Sequence, residues 1–298
     1  MDLAEVSKLT EEQAMAHFEA MRWPGGPICI KCGDPSNVVR IAGKYAHRGL
    51  LRCKSCRKQF TVRVGTIFED SHIPFKTWLI AIHILCASKK GMSAHQLHRM
   101  MGITYKSAWF MAHRIRLSMT KNQLAGRLKG TVEADETYIG GKETGRRGRG
   151  GNKTPVFSLV ERGGDVRSFQ MERVTKKNLR EVLLSNVVPS SKLMTDSFPG
   201  YKGMKSLFRH QSVNHKRKEY VRGEVYTNTI EGFFSILKRG LDGVYQHVSK
   251  KHLKRYLNEF DFRYNTREFS DGERADLAIK RAENQRLSYY RPAGASTT

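Results

Sequence analysis

The spacing of apolar residues changes several times along this chain, and each change predicts a new kind of element. Met15, Phe18 and Met21 recur at helical spacing behind Thr10 and Gln13, a capping-box pair, and the run stops at Pro24, Gly25, Gly26 and Pro27. A leading helix is therefore expected within residues 1–27. Residues 28–72 hold short strand-like runs such as 59–64, and Pro74 marks their end. Three helical runs follow over 73–122: a strongly apolar one at 75–88, a short one at 93–101, and, after Gly102, a third at 104–116 with Trp109 and Ile115 on it. From Gly130 the period shortens to that of strands, at 131–139, 155–160 and 166–171, before a helix at 176–184 and a strand at 192–195. That alternation predicts an α/β domain over 128–270, mostly helical from Thr229 onward, with a basic tail at 271–298. No internal repeat is visible. The one biased segment is the Gly/Arg-rich loop 140–153.

Charge narrows the partners. Lys and Arg number 53 against 28 Asp and Glu, a formal net charge of +25 over 298 residues, and such an excess calls for a polyanion. Nucleic acid is the natural one. At 39% hydrophobic residues the chain can also fill a core, so a folded basic protein is expected rather than a basic tail. No stretch approaches the roughly 20 apolar residues of a membrane span, and the acidic start MDLAEVSKLTEEQ has no hydrophobic signal region. The expected location is the cytoplasm, with no membrane partner.

Cysteine spacing supplies the first site. Cys29-x2-Cys32 and Cys53-x2-Cys56 stand 20 residues apart, and each pair can present two thiolates from one tight knuckle, closing a tetrahedron around zinc. Four thiolates leave no open position, so the ion is structural; Cys86, in an apolar helical run, reads as core. In the helical module Leu97, Met101, Ile103, Ala108, Met111 and Ile115 suit a helix-turn-helix packing. Tyr105, Lys106, Ser107, His113, Arg114 and Arg116 are then expected to meet phosphates or base edges.

Three acids supply the second site. Asp135 interrupts the apolar strand TVEADETYIGG, and Asp196 ends the strand LMT just before Phe198-Pro199-Gly200. Glu231 opens a helix that buries Ile230, Phe233, Phe234 and Leu237 on one side and carries Glu231, Ser235 and Lys238 on another. Acids converging from separate elements can hold two cations about 3.5–4 Å apart for phosphodiester chemistry. Glu133 shares the strand face of Asp135 and is a rival ligand, whereas Glu136 points the other way. Hard carboxylate oxygens suit Mg²⁺, with Mn²⁺ as a substitute. The basic loop 140–153, with Arg146, Arg147 and Arg149, and the run Lys216-Arg217-Lys218 after His215 are expected to add phosphate contacts.

The paired cysteines, GITYKSAWFMAHRIR, VEADETYIGGK, LMTDSFPGY, VNHKRKEYVRGEVYTNTIEGFFSILKRG and HLKRYLNEFDFRYNTR, in that order, resemble the bacterial insertion-sequence transposases that join a zinc ribbon to an ISXO-type DDE domain. The resemblance covers about residues 10–270. It implies an RNase H-like core, a mixed sheet with flanking helices, preceded by the zinc ribbon and the small helix-turn-helix-like module. It also implies Asp135, Asp196 and Glu231 as the triad, with 34 residues between the second Asp and the Glu, holding two Mg²⁺ or Mn²⁺ ions. Lys238, followed by Arg239, is assigned to a transposon-end phosphate. Asn228, on the face of Glu231, is assigned as an additional group able to reach the metal, and His215 as one that orients a phosphate or water. The implied reaction is cleavage at transposon ends in double-stranded DNA, followed by attack of the freed 3′-hydroxyl on target DNA, by a homodimer or larger assembly. A non-catalytic regulator with a degenerate core, and a nuclease of the same fold without strand transfer, are the competing expectations.

Overall fold

The computed structural model describes residues 1–43, 46–120, 126–141 and 153–288 and divides into two compact units. The first comprises residues 1–88 and 92–120 together with the segment from Phe269; the second comprises 89–91 and 121–268.

The first unit begins with α1 (Leu3–Lys8) and α2 (Glu11–Arg22), each opened by a reciprocal capping box, Asp2 with Glu5 and Thr10 with Gln13. A three-stranded antiparallel sheet follows, β1 (Val38–Arg40), β2 (Leu51–Cys53) and β3 (Gln59–Phe60). Helix α3 (Phe75–Ala87) buries residues on all sides, among them Trp78, Leu79, Ile82 and Leu85, as an apolar helix in the middle of a bundle must. Helices α4 (Ala94–Met101) and α5 (Tyr105–Ser118) are each started by a side-chain cap, Ser93 and Thr104, and are separated by Gly102, whose positive φ of 62° closes α4.

The second unit is a five-stranded sheet with helices on both faces. Strands β4 (Thr131–Ile139), β5 (Thr154–Glu161) and β6 (Val166–Gln170) form an antiparallel meander; after α6 (Lys176–Asn186), β7 (Lys192–Thr195) runs parallel to β4, and β8 (Arg209–Ser212) parallel to β7. The strand order is therefore β6-β5-β4-β7-β8. A small hairpin, β9 (Val221–Arg222) and β10 (Val225–Tyr226), precedes α7 (Asn228–Gly243) and α8 (Lys250–Asn265). Alternation along the strands sorts the two faces. Val132, Ala134, Phe157, Leu159 and Leu193 pack with Leu179 and Leu183 of α6. On the other face Val156, Val160 and Val166 meet Ile230, Phe233, Phe234 and Leu237 of α7 and Leu253, Leu257 and Phe260 of α8. Each of those four α7 side chains contributes about 2 kcal/mol by leaving water, which fixes the helix against the strands.

The last helix, α9 (Asp271–Lys280), corrects the expectation of a bare basic tail from 271. It is opened by a capping box from Ser270 and belongs to the first unit, where Asp276 pairs with His17 at 2.8 Å and Glu283 with Arg22 at 3.1 Å. Its three acids, Asp271, Glu273 and Asp276, supply partners that a count of basic residues hides. No helix among the described residues is long and apolar enough to cross a membrane.

Candidate active site and zinc centre

The four cysteines converge. Their Sγ atoms all lie within 4.8 Å of one another, with Cys29–Cys56 at 3.5 Å and Cys32–Cys53 at 3.6 Å. A tetrahedron with zinc–sulfur bonds of about 2.3 Å has edges of about 3.8 Å, so the group fits zinc closely. Each knuckle turns through a left-handed residue just after its second cysteine, Gly33 (φ 77°) and Arg57 (φ 60°). Burial opposes ionisation of Cys29, but the backbone amides of Cys32 and Lys31 and the neighbouring thiols outweigh it and lower that thiol, while the shared sulfur contacts push Cys32 up. Asp34 braces the two knuckles by accepting from Ser55 and from Asn37.

The acids are organised by sheet register. Glu133 of β4 pairs with Met194 of β7, and continuing that parallel register sets Asp196, one residue past the end of β7, level with Asp135. Residues level with one another in neighbouring strands share a face, so both carboxyls belong to the side covered by α7. Asp135 is largely buried. Desolvation, reinforced by the charges of Glu136, Asp196 and Glu231, pushes its carboxyl up to about 8. Asp196 is half-buried and accepts from the Phe198 amide at 2.9 Å, which turns the chain sharply after the strand. The three acids do not meet the mutual spacing of the cysteines, yet the charges of Asp196 and Glu231 reach Asp135. A desolvated carboxyl among like charges is the environment a hard divalent cation relieves, so the donor set fits Mg²⁺ or Mn²⁺.

Glu133, the rival ligand, has its carboxylate engaged by protein groups. Its carboxylate is fully buried and takes Arg162 Nε at 2.7 Å, the Thr229 hydroxyl at 2.9 Å and the Ile230 amide at 3.0 Å. It thus caps the start of α7, where Thr227 offers no side-chain cap to the backbone. This bond also brings Glu231, the next residue, over the β4 face. Glu136 lies on the opposite face, where Tyr201 donates to it at 2.9 Å. Thr227, which the sequence did not single out, is buried and donates to Glu231 Oε1 at 2.9 Å; His215 Nε2 is 3.5 Å from the same oxygen. Asn228 is the first residue of α7 and exposed, and Lys238 and Arg239 are exposed farther along that helix.

Lys216, Arg217 and Lys218 are exposed on a single helical turn capped by Asn214. In the first unit Tyr105 and Lys106 are exposed at the start of α5, but His113, Arg114 and Arg116 are buried, which overturns their expected contact with DNA. The two terminal nitrogens of Arg114 donate to carbonyls of Ile67, Glu69 and Leu287. Arg146, Arg147 and Arg149, with most of the loop 140–153, lie outside the described residues.

A four-cysteine ribbon and a mixed sheet of this strand order, flanked by helices, define a zinc-ribbon protein with an RNase H-like core. A model described as an ISXO2-like transposase domain matches residues 127–265, and one described as a transposase zinc-ribbon domain matches residues 9–59. The chain is 29% identical over 274 residues to an "Uncharacterized protein in transposable element ISH50" of Halobacterium salinarum, covering 86% of this chain and 91% of that one. It is 30% identical over 104 residues to an "Uncharacterized transposase-like protein" of Haemophilus influenzae, covering 35% of this chain and 83% of that one. The chain thus carries, in order, a transposase zinc-ribbon domain and an ISXO2-like transposase domain.

Proposed function

We propose that this protein cuts DNA at the ends of its own insertion sequence and joins the freed 3′-hydroxyl to target DNA, with Asp135, Asp196 and Glu231 as the metal-holding acids. The observation that carries the reading is the parallel register that sets Asp196 level with Asp135 on the sheet face covered by α7, with the charges of Asp196 and Glu231 both bearing on Asp135. Divalent metal, two Mg²⁺ or Mn²⁺ ions, supplies Lewis-acid stabilisation of the phosphoryl oxygens when bound there. Thr227 fixes the rotamer of Glu231 through its hydroxyl, and His215, beside the same carboxylate, orients a phosphate or water. Lys238, two helical turns from Glu231, and its neighbour Arg239 offer positive charge to the transposon-end phosphate. Asn228 is a further oxygen donor on the Glu231 face. In the first step water displaces the 3′-oxygen from the phosphorus at the element's end; in the second that 3′-hydroxyl attacks a target phosphodiester and its leaving oxygen takes a proton. The zinc ribbon and the α4–α5 pair, with Tyr105 and Lys106 exposed, bind the terminal repeats; Lys216, Arg217 and Lys218 hold phosphates near the acids. Two ends acting together call for a homodimer or larger assembly, working at the nucleoid in the cytoplasm.

The test is to incubate the full chain with labelled duplexes carrying the ends that flank its gene, with Mg²⁺ or Mn²⁺, and to resolve nicked and joined products. Metal-dependent cleavage and joining are expected. Binding without cleavage would move the reading to a regulator, and cleavage without joining to a nuclease.

The Asp135 carboxyl sets a pH dependence. A folded value of about 8, above the ordinary carboxylate range, means that stability without metal is fully present below that range and is lost as pH rises through about 8. Metal must displace that proton, so Mn²⁺ affinity is expected to fall roughly tenfold per pH unit below about 8. Titration calorimetry at pH 6.5 and pH 8.5 checks this; equal affinities would contradict it.

A further inference from the structure

Tyr220 is 56% exposed, the most exposed large apolar or aromatic side chain among the described residues, and Val221 beside it is 53% exposed. Both stand on a firmly rooted piece of chain. On one side Glu219 takes the Asn214 amide with its carboxylate and donates its own amide to the Asn214 carbonyl. On the other, β9 and β10 close through Gly223, whose φ of 58° makes the tight turn. The hairpin is pinned below by Val225, buried with Met194 and Val213, and by Arg162, which donates to the Glu224 and Tyr226 carbonyls while its Nε holds Glu133. Arg222 adds a bond to the Ser212 carbonyl. A ring that faces water on so braced a root is held ready for a ligand rather than left loose.

The surroundings name the ligand. The Tyr220 ring lies 5.3 Å from the ring of His215, and His215 Nε2 is 3.5 Å from Glu231 Oε1, so the aromatic pair borders the acids. Lys216, Arg217 and Lys218, which follow His215 in the chain, are exposed, as is Arg222, which pairs with Glu219 at 3.5 Å. An exposed aromatic ring next to a run of exposed cations is the combination that binds single-stranded nucleic acid, cations on the phosphates and the ring on a base. In an intact duplex both faces of a base are covered by its neighbours, so only an unpaired or extruded base can take that place. A second copy of this chain, itself strongly basic, is a poor occupant of a basic surface.

We propose that Tyr220 forms a stacking platform for one unpaired nucleobase of the DNA strand whose phosphate is held at Asp135, Asp196 and Glu231. The proposal rests on the catalytic reading above for the location of that phosphate, and adds that the end is bound with its pairing opened. A platform of this kind lets the protein distinguish a frayed end from continuous duplex.

The zinc-loaded full chain is titrated, with no Mg²⁺ or Mn²⁺ added, into a labelled forked duplex ending in a short unpaired thymine tail and into the fully paired duplex of the same sequence, with binding read by fluorescence anisotropy. Tyr220→Ala is expected to weaken fork binding about tenfold and to leave the paired duplex within about twofold, while Tyr220→Phe and Tyr220→Trp keep the preference. With 5-iodouracil in the tail, irradiation is expected to crosslink it to Tyr220. A Tyr220→Ala protein that binds the fork as tightly as the unaltered one overturns the platform, and so does an equal loss on both DNAs. Glu231→Gln separates the two readings: it should keep the fork preference and lose cleavage in Mg²⁺. If it cleaves normally, the catalytic reading falls while the fork preference stands or fails by its own titration.

Discussion

Asp196→Ala is expected to lower metal-dependent cleavage and joining by on the order of a thousandfold or more, while leaving a folded protein. The size follows from position. Asp196 is level with Asp135 and lies just past the end of its strand, where its carboxylate faces the same metal-holding side of the sheet. Its one bond of structural value is the acceptance from the Phe198 amide, and losing it costs about 1 kcal/mol, a few degrees in Tm for a domain of this size. Asp196→Asn sharpens the test, because its side-chain oxygen can still accept from Phe198 while the charge is gone. Product analysis of both variants in Mg²⁺ and Mn²⁺, beside thermal melts, checks the expectation. If Asn supports cleavage at the original rate, Asp196 is a turn residue and the metal is held elsewhere.

What could be read from the sequence was what local spacing controls. Two cysteine pairs determine a zinc site because each knuckle is a few residues long, and the Thr10–Gln13 cap of α2 is equally local. The amphipathic stripe of α7 revealed which side is buried, and period-two alternation separated Glu136 from Asp135. What escaped depends on groups brought from far along the chain. His113, Arg114 and Arg116 read as a basic helical face; the carbonyls of Ile67, Glu69 and Leu287 that take up Arg114 are unknown until the chain has folded. The segment from 271 read as a tail because its acids meet His17 and Arg22 only in the folded unit. Tyr220 and Thr227 carry no signal in spacing at all, since each matters through its neighbours around Glu231 and His215. Glu133 was the hardest case, for it sits on the same strand face as Asp135 and only its partners distinguish the two.

Those partners make Glu133→Ala the second large effect, on stability rather than chemistry. Removing the carboxylate leaves Arg162, the Thr229 hydroxyl and the Ile230 amide, 97 residues away in sequence, without the acceptor they share, and also loosens the Arg162 hold on the hairpin. Breaking a buried pair from one side costs about 3–5 kcal/mol, so a drop in Tm of roughly 10 °C or more is expected from calorimetry. A metal ligand behaves oppositely. Taking one acid out of a crowded, metal-free cluster relieves repulsion, and Asp135→Asn is therefore expected to hold or raise Tm above pH 8, where the native carboxyl has been forced to ionise against desolvation and its neighbours' charges. Melting the two zinc-loaded variants side by side at pH 8.5 with no Mg²⁺ or Mn²⁺ added separates the roles: Glu133→Ala falling while Asp135→Asn does not makes one acid a structural anchor and leaves the other for the metal. If Glu133→Ala melts with the unaltered protein, its carboxylate is not the cap of α7 and returns to the list of ligands.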